Sequence, residues 1–318
     1  MTAYIIRRLI LAVAVLVLVT LILFFLMRLL PGDPVLLFMS QDQYTKITPE
    51  QLEVARHQYG LDRPVIVQYF SWVGGVFHGD LGQSIFSSKT VAEQIRDSLP
   101  ITLHLGALAW IISHLLAIPI GVICAARRGR PVDTVLTILA NIGITAPTFW
   151  VGILLIYLFG LDLGWLPIHG YTSPTEDFWM STKQVIMPVF CLCLTPLAGV
   201  VRQTRSAMLE VIRQDYIRTA WSKGLAERTV IIRHALKNGI IPVVTLAGMS
   251  IPMILGGQVL METVFSIPGM GRLAVNALFS RDYAITQGVM LIMASAVLLT
   301  NLIVDISYAW LDPRVRYD

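Results

Sequence analysis

"LILAVAVLVLVTLILFFLMRLL", residues 9–30, runs for 22 residues with Arg28 as its single charge. A bilayer core needs roughly 20 consecutive apolar residues of helix to cross it. The run exceeds the roughly 7–15 residues of a signal-peptide core, and no small-x-small cleavage site follows it. It reads as a retained first membrane span.

The rest of the chain repeats the pattern. Of 318 residues, 55% are apolar and 14% charged, with a mean hydropathy of +0.70. The apolar residues are gathered in runs, and six spans are predicted at about 9–30, 101–125, 134–160, 185–203, 240–261 and 288–311. The fold class is therefore an all-α polytopic membrane protein. Proline and glycine interrupt several spans, in "ITAPTFWVG", "CLTPLAG" and "SIPMILGG"; spanning helices tolerate them where neighbours satisfy the freed backbone groups.

Lys and Arg set the orientation. With the N-terminus inside, 15 of the 24 basic residues fall on the inner side, at far higher density than outside. The expectation is a multi-pass protein of the bacterial inner membrane with N- and C-terminus cytoplasmic. The predicted organisation is a first span (1–30), an extracytoplasmic helical segment (31–100), a five-helix core (101–311) with an inner loop at 204–239, and a cytoplasmic tail (312–318).

Within 31–100, Thr48-Pro49-Glu50-Gln51 and Thr90-Val91-Ala92-Glu93 are capping boxes, each opening a short helix, and Gly60 ends the first. The outer loop 161–184 holds Trp165, Tyr171, Phe178 and Trp179, which an interfacial aromatic belt explains. The outer loop 262–287 contains "FSIPGMGRL", where Pro268, Gly269 and Gly271 disfavour regular structure ahead of a short helix-like stretch.

The inner loop carries the informative pattern. "YIRTAWSKGLAERTVIIRHALKNGI", residues 216–240, holds five Lys/Arg and one acid. Ile217, Ala220, Trp221, Gly224 and Leu225 fall at i, i+3, i+4, i+7 and i+8, one apolar stripe. Gly224 permits the left-handed conformation that ends a helix, and "LAERTVIIRHALKN" reads as a second helix. The product is an elbow whose stripe can fill a partner's groove. Charge alone favours an ordinary positive-inside loop whose helix lies on anionic lipid.

Other chemistry is thin. Cys124, Cys191 and Cys193 sit in apolar runs as small hydrophobes, and no metal set completes Cys191-x-Cys193. His104 and His114, ten residues apart, lie about 80° from a shared helix face. The polar residues Asn141, Thr145, Thr148, Ser250, Gln258 and Glu262 within or ending the spans mark either a translocation path or interhelix hydrogen bonds. No G-x-x-x-x-G-K-[ST], H-E-x-x-H or G-x-S-x-G is present, so the chain is not expected to be an enzyme. An ion-coupled secondary transporter remains the alternative class, although the mid-span positions are almost free of ionisable groups.

The string "YIRTAWSKGL…RHALKN" resembles the EAA loop of ABC importer permeases, in the form used by the dipeptide, oligopeptide and nickel branch. In the general EAA pattern only Ala220, Gly224 and Leu236 match, with His234 at the position of an Ile. "LLPGDP", "YGLDRP", "GDLGQSI", "NIGITAPTFWVGILLIYLF", "LGWLPIHGY", "FSIPGMGRL…RDY…QG" and "LDPRVRY" resemble the same branch in order along the chain.

The resemblance implies the type I (MetI-like) permease fold and an ATPase-coupling role for Tyr216, Ile217, Arg218, Thr219, Ala220, Trp221, Lys223, Gly224, Leu225 and His234. It also implies a second homologous permease as heterodimer partner, membrane lipid, no nucleic acid, and two cytoplasmic ATPase subunits that carry the ATP and Mg. An extracytoplasmic binding protein would touch Pro268, Gly269, Met270, Gly271 and Arg272. The branch carries dipeptides, longer peptides, glutathione, opines, nickel and metal chelates; peptide is the favoured cargo.

Overall fold

The computed structural model describes residues 2–29, 35–36, 39 and 48–311. Most of "LLPGDP", the basic residues Arg314 and Arg316, and the tail 312–318 lie outside the described residues.

Helix α1 (Thr2–Leu29) contains the opening run as far as Leu29. Ile10, Val13, Leu18 and Ile22 on it are all more than half exposed, the reverse of a soluble helix. A surface of this kind is stable only against lipid. Thr48 opens α2 (Pro49–Gln58) with the predicted box: its Oγ1 accepts from the Gln51 N–H (3.3 Å), and the Gln51 side chain accepts from the Thr48 N–H (3.0 Å). Gly60, at φ +63°, follows its end. Helix α3 (Val65–Phe77) is short and apolar.

The second box, Thr90 with Glu93, is also formed, at 2.8 and 3.2 Å. The helix it opens is not short. It continues as α4 (Val91–Ala126) for 36 residues, so the span predicted from 101 begins ten residues earlier. Pro100 lies inside it; one proline removes one backbone hydrogen bond and does not end a long helix held elsewhere.

The third predicted span is broken. Helices α5 (Pro131–Thr145) and α6 (Thr148–Asp162) meet at 100° across Ala146–Pro147. Proline pushes the preceding residue into extended conformation, and Ala146 stands at ψ 126°. The last stretch of α6, Ile156–Asp162, is wound as a π-helix.

Helix α7 (Phe178–Ile212) is longer than the predicted 185–203 because Asp177 caps it early, accepting from the Met180 N–H at 2.9 Å. Then come α8 (Asp215–Ser222), α9 (Glu227–Gly239), α10 (Ile241–Val264), α11 (Met270–Ser280) and α12 (Tyr283–Leu311). Helices α9 and α10 form a second bent pair, at 54°. Among the described residues four helices are long and apolar enough to cross a membrane, up to six spans if each bent pair counts as one.

The chain divides into two compact units. Unit 1 comprises Met1–Thr102 and Pro268–Leu298, and its core joins Val91, Ile95, Met270, Ala277, Ile285 and Val289. Unit 2 comprises Leu103–Ile267 and Leu299–Asp318. In it α7 packs against α5, α6 and α10 around Ala117, Ala140, Ala198, Val201 and Val243. Small residues let these backbones approach closely, as packing between membrane helices requires.

Candidate functional site

The elbow predicted from the basic loop is present in unit 2. Helix α8 ends at Ser222, and Gly224 adopts φ +73° with its N–H donating to the Trp221 carbonyl (2.9 Å). An L-residue resists that conformation by about 1–2 kcal/mol, so glycine is what makes the turn. Helix α9 then runs back toward α10, its middle (Val230–Leu236) wound as a π-helix. That single widened stretch holds His234, which is half-buried.

The apolar stripe is split between two uses. Ile217 is fully buried and Ala220 nearly so, packed with Ala125, Met208, Val230 and Ala235. Trp221 and Leu225, on the same stripe expected to fill a partner's groove, are exposed by 42% and 36%. The register explains this: Ile217 and Ala220 sit three residues apart against α7 and α9, while Trp221 is rotated past that contact and Leu225 lies beyond the glycine. The stripe's centre thus anchors the elbow to its own chain, and Tyr216, Arg218, Thr219, Trp221 and Lys223 form the free face.

Hydrogen bonds fix this face. The Asn238 side chain donates to the Tyr216 hydroxyl (2.8 Å), tying α8 to α9. Thr219 and Ser222 hydroxyls bond the carbonyls of Asp215 and Arg218. The Arg218–Asp215 pair, 3.4 Å apart and exposed on both sides, adds little.

The support beneath was missed in the sequence. Arg205 on α7 forms a two-pronged pair with Asp133 on α5, both contacts 2.8 Å. The Gly129 N–H also donates to that carboxylate (3.0 Å). Asp133 is buried, while in the sequence Arg205 is one more positive charge of the inner side. A lone Asp beside an inner basic cluster was the available signal, but nothing in sequence spacing pairs residues 133 and 205. Nearby, a Cβ on Gly121 would come within 2.5 Å of the Thr204 side chain and 2.9 Å of the Val201 carbonyl, so α4 and α7 touch there.

The other predicted residues are scattered. Asn141 and Thr145 on α5 are exposed, with the Thr145 hydroxyl bonded to carbonyls of its own helix. Thr148 is half-buried at the start of α6. On α10, Ser250 is buried with its hydroxyl on the Ala247 carbonyl (2.7 Å). Gln258 and Glu262, one turn apart on that helix, are fully buried. The Gln258 side-chain amide lies against Gly106, where a Cβ would collide with Nε2, and among the described residues both its polar atoms lack hydrogen-bond partners.

In unit 1, Pro268 is exposed but Met270 is fully buried, its N–H donating to the Thr102 hydroxyl at 2.8 Å. Gly269 and Gly271 are buried and Arg272 is half-buried. The short helix expected after the Pro-Gly segment is α11, and it starts within that segment, at Met270, whose burial holds the chain where glycines alone would leave it free.

Comparison with known proteins decides the family. The model for the binding-protein-dependent transport system inner membrane component matches residues 117–317, and its N-terminal companion matches 1–106. The chain belongs to this family. It is the permease subunit of a binding-protein-dependent ABC importer, a membrane component rather than a catalytic one, and the family implies ATPase and substrate-binding partners.

Similar proteins include the oligopeptide transport system permease protein AppB of Bacillus subtilis, 40% identical over 320 residues covering 100% of each chain. The di/tripeptide transport system permease protein DppB of Pseudomonas aeruginosa is 37% identical over 337 residues, covering 100% of the permease and 99% of its own length. Among solved structures, the MetNI methionine ABC transporter in inward-facing conformations matches with a TM-score of 0.56 at 14% identity, over 69% of the permease and 96% of that chain. The type I permease fold read from the sequence agrees with this neighbour.

Proposed function

We propose that the permease forms half of the pathway of a peptide importer and that α8 is the element through which a cytoplasmic ATPase drives it. The observation that carries this reading is the divided stripe. Ile217 and Ala220 lock α8 into unit 2, while Tyr216, Arg218, Thr219, Trp221 and Lys223 face outward on a helix that Gly224 turns back at once. A helix so fixed transmits a push; a helix merely lying on lipid needs no such anchor.

The supporting partners follow from the family. A second, homologous permease completes the pathway as a heterodimer. Two ATPase subunits bind ATP and Mg, and an extracytoplasmic binding protein delivers cargo to the side bearing Pro268 and Arg272. The N- and C-terminus are then cytoplasmic, as the density of Lys and Arg favours. Gln258 and Glu262 would meet the path when the helices move apart, since buried polar groups within a span mark function by default. The cargo is peptide, in keeping with the oligopeptide and di/tripeptide transport for which the two relatives are named.

The test is uptake of a labelled dipeptide and a labelled oligopeptide by cells carrying the importer, with Trp221→Ala and Gly224→Pro as variants. Loss of uptake with unchanged permease level supports the reading. Full uptake in both variants overturns the coupling role, and no peptide uptake in the wild type overturns the cargo.

A further inference from the structure

A second site lies wholly within unit 1. The Arg28 guanidinium, on the last turn of α1, stacks over the rings of Phe24 and Tyr283, 4.2 and 4.6 Å from their centroids. Its Nε and Nη2 donate to the Gln68 side-chain Oε1 at 3.2 and 3.0 Å. No carboxylate pairs with it among the described residues. Among the described residues its Nη1 is buried with no hydrogen-bond partner, and so are the indole N–H of Trp72 and the side-chain nitrogen of Gln287.

All three border one cavity of about 440 Å³, open on one side. Arg63 and Asp80 also line it, but both are exposed, and Asp80 already accepts the Gly82 N–H at 2.8 Å. Charge at the rim therefore cancels, and the buried charge is a single cation. Buried donors without acceptors are rare, and a buried cation without a counter-charge is costly. Three of them converging on one space, one carried by a permanently charged guanidinium, describe a receptor for an oxyanion.

The helix that supplies Trp72 indicates where that oxyanion comes from. On α3, Gln68, Ser71, Trp72 and Gly75 line the cavity, whereas Ile66, Phe70 and Phe77 on the opposite face are exposed by 63%, 67% and 85%. A short helix with one such apolar face lies in the plane of a membrane interface, and Trp and Tyr concentrate at headgroup depth. A cavity on the polar side of that helix meets phosphates of lipid headgroups. We propose that Arg28, Trp72 and Gln287 form a binding site for the phosphate of an anionic phospholipid headgroup.

The test is native mass spectrometry of the intact importer, purified in mild detergent from membranes containing phosphatidylglycerol, with lipid counted per permease. Wild type is expected to retain phosphatidylglycerol through washing in buffer with or without inorganic phosphate. Losing one hydrogen bond to a charged group weakens binding roughly tenfold, so Arg28→Gln and Trp72→Phe should each release the lipid under washing that wild type withstands. Trp72→Phe keeps the ring packing and removes only the donor, so it carries the test should Arg28→Gln fail to assemble. Equal retention by wild type and Trp72→Phe overturns the proposal. Displacement of the lipid by inorganic phosphate alone also overturns it, by assigning the site to the free ion, as does displacement by a dipeptide, which assigns it to a cargo carboxylate.

Discussion

Gly224 shows how a residue acts through its backbone. Its φ of +73° is closed to proline, whose ring fixes φ near −65°, and a proline there also loses the N–H bonded to Trp221. Nothing lies within 4 Å of a Cβ built at this position, so only conformation matters. Gly224→Asn, which tolerates the left-handed region, should retain peptide uptake near wild type, while Gly224→Pro should abolish it; parallel uptake assays of the two variants check this. The Arg205–Asp133 pair acts through charge. Removing one partner strands the other, and with Arg205 still 30% exposed the penalty is about 2 kcal/mol. Arg205→Ala should lower the thermal midpoint in detergent, and Asp133→Leu combined with Arg205→Met should recover part of the loss.

Asp282 adds a pH dependence. It is buried, bonded to the Ser84 hydroxyl and to the Ile285 N–H, and burial raises its carboxyl above the ordinary carboxylate range, with the Ser84 bond offsetting part of the rise. The native state therefore holds this proton more tightly than the unfolded chain does. Its contribution to stability is full below the unfolded value and is lost as pH rises through the raised folded one. Asp282→Asn should flatten this part of the pH–stability curve, measured as the difference between variant and wild-type melting from acid to neutral pH.

At the scale of elements, local signals carried furthest where a single residue type does a single job. The Thr48 and Thr90 boxes, Gly60 and Gly224 all stand where their chemistry places them. Element lengths were harder to read, since hydropathy marks what lipid covers and not where a helix ends. Asp177 starts α7, and Thr90 starts α4, well outside the apolar windows. The break at Pro147 was visible as a proline, but a proline alone does not separate a kink from a 100° turn. The stripe on α8 was legible as apolar, yet its division between Ile217 inside and Trp221 outside depends on α7 and α9, which no pattern within α8 reveals.

Close helix contacts give a sharper test of this packing. At Gly121 a side chain meets the Val201 carbonyl, whereas at Gly199 on α7 a Cβ meets nothing within 4 Å. Gly121→Val should sharply reduce the yield of folded permease, because backbone cannot yield as a flexible side chain can. Gly199→Ala should be neutral or stabilising by up to about 1 kcal/mol. Size-exclusion profiles of the two variants in detergent distinguish these outcomes.

At the scale of the whole molecule, the repeated apolar runs mark a polytopic membrane protein, and the ordered motifs along the sequence mark its family. The buried Arg205–Asp133 pair and the three unpaired donors around Arg28 were not legible, because each joins residues far apart in the chain. The coupling of α8 to an ATPase is the central claim, and disulfide cross-linking in the assembled importer tests it most directly. Cys124, Cys191 and Cys193 are all buried, so background is low. Cysteines placed at Arg218 and Trp221 should cross-link to cysteines on the ATPase surface, while a cysteine at Phe77 should not. Absence of any cross-link from α8, with the importer intact and Phe77 behaving identically, would contradict the account.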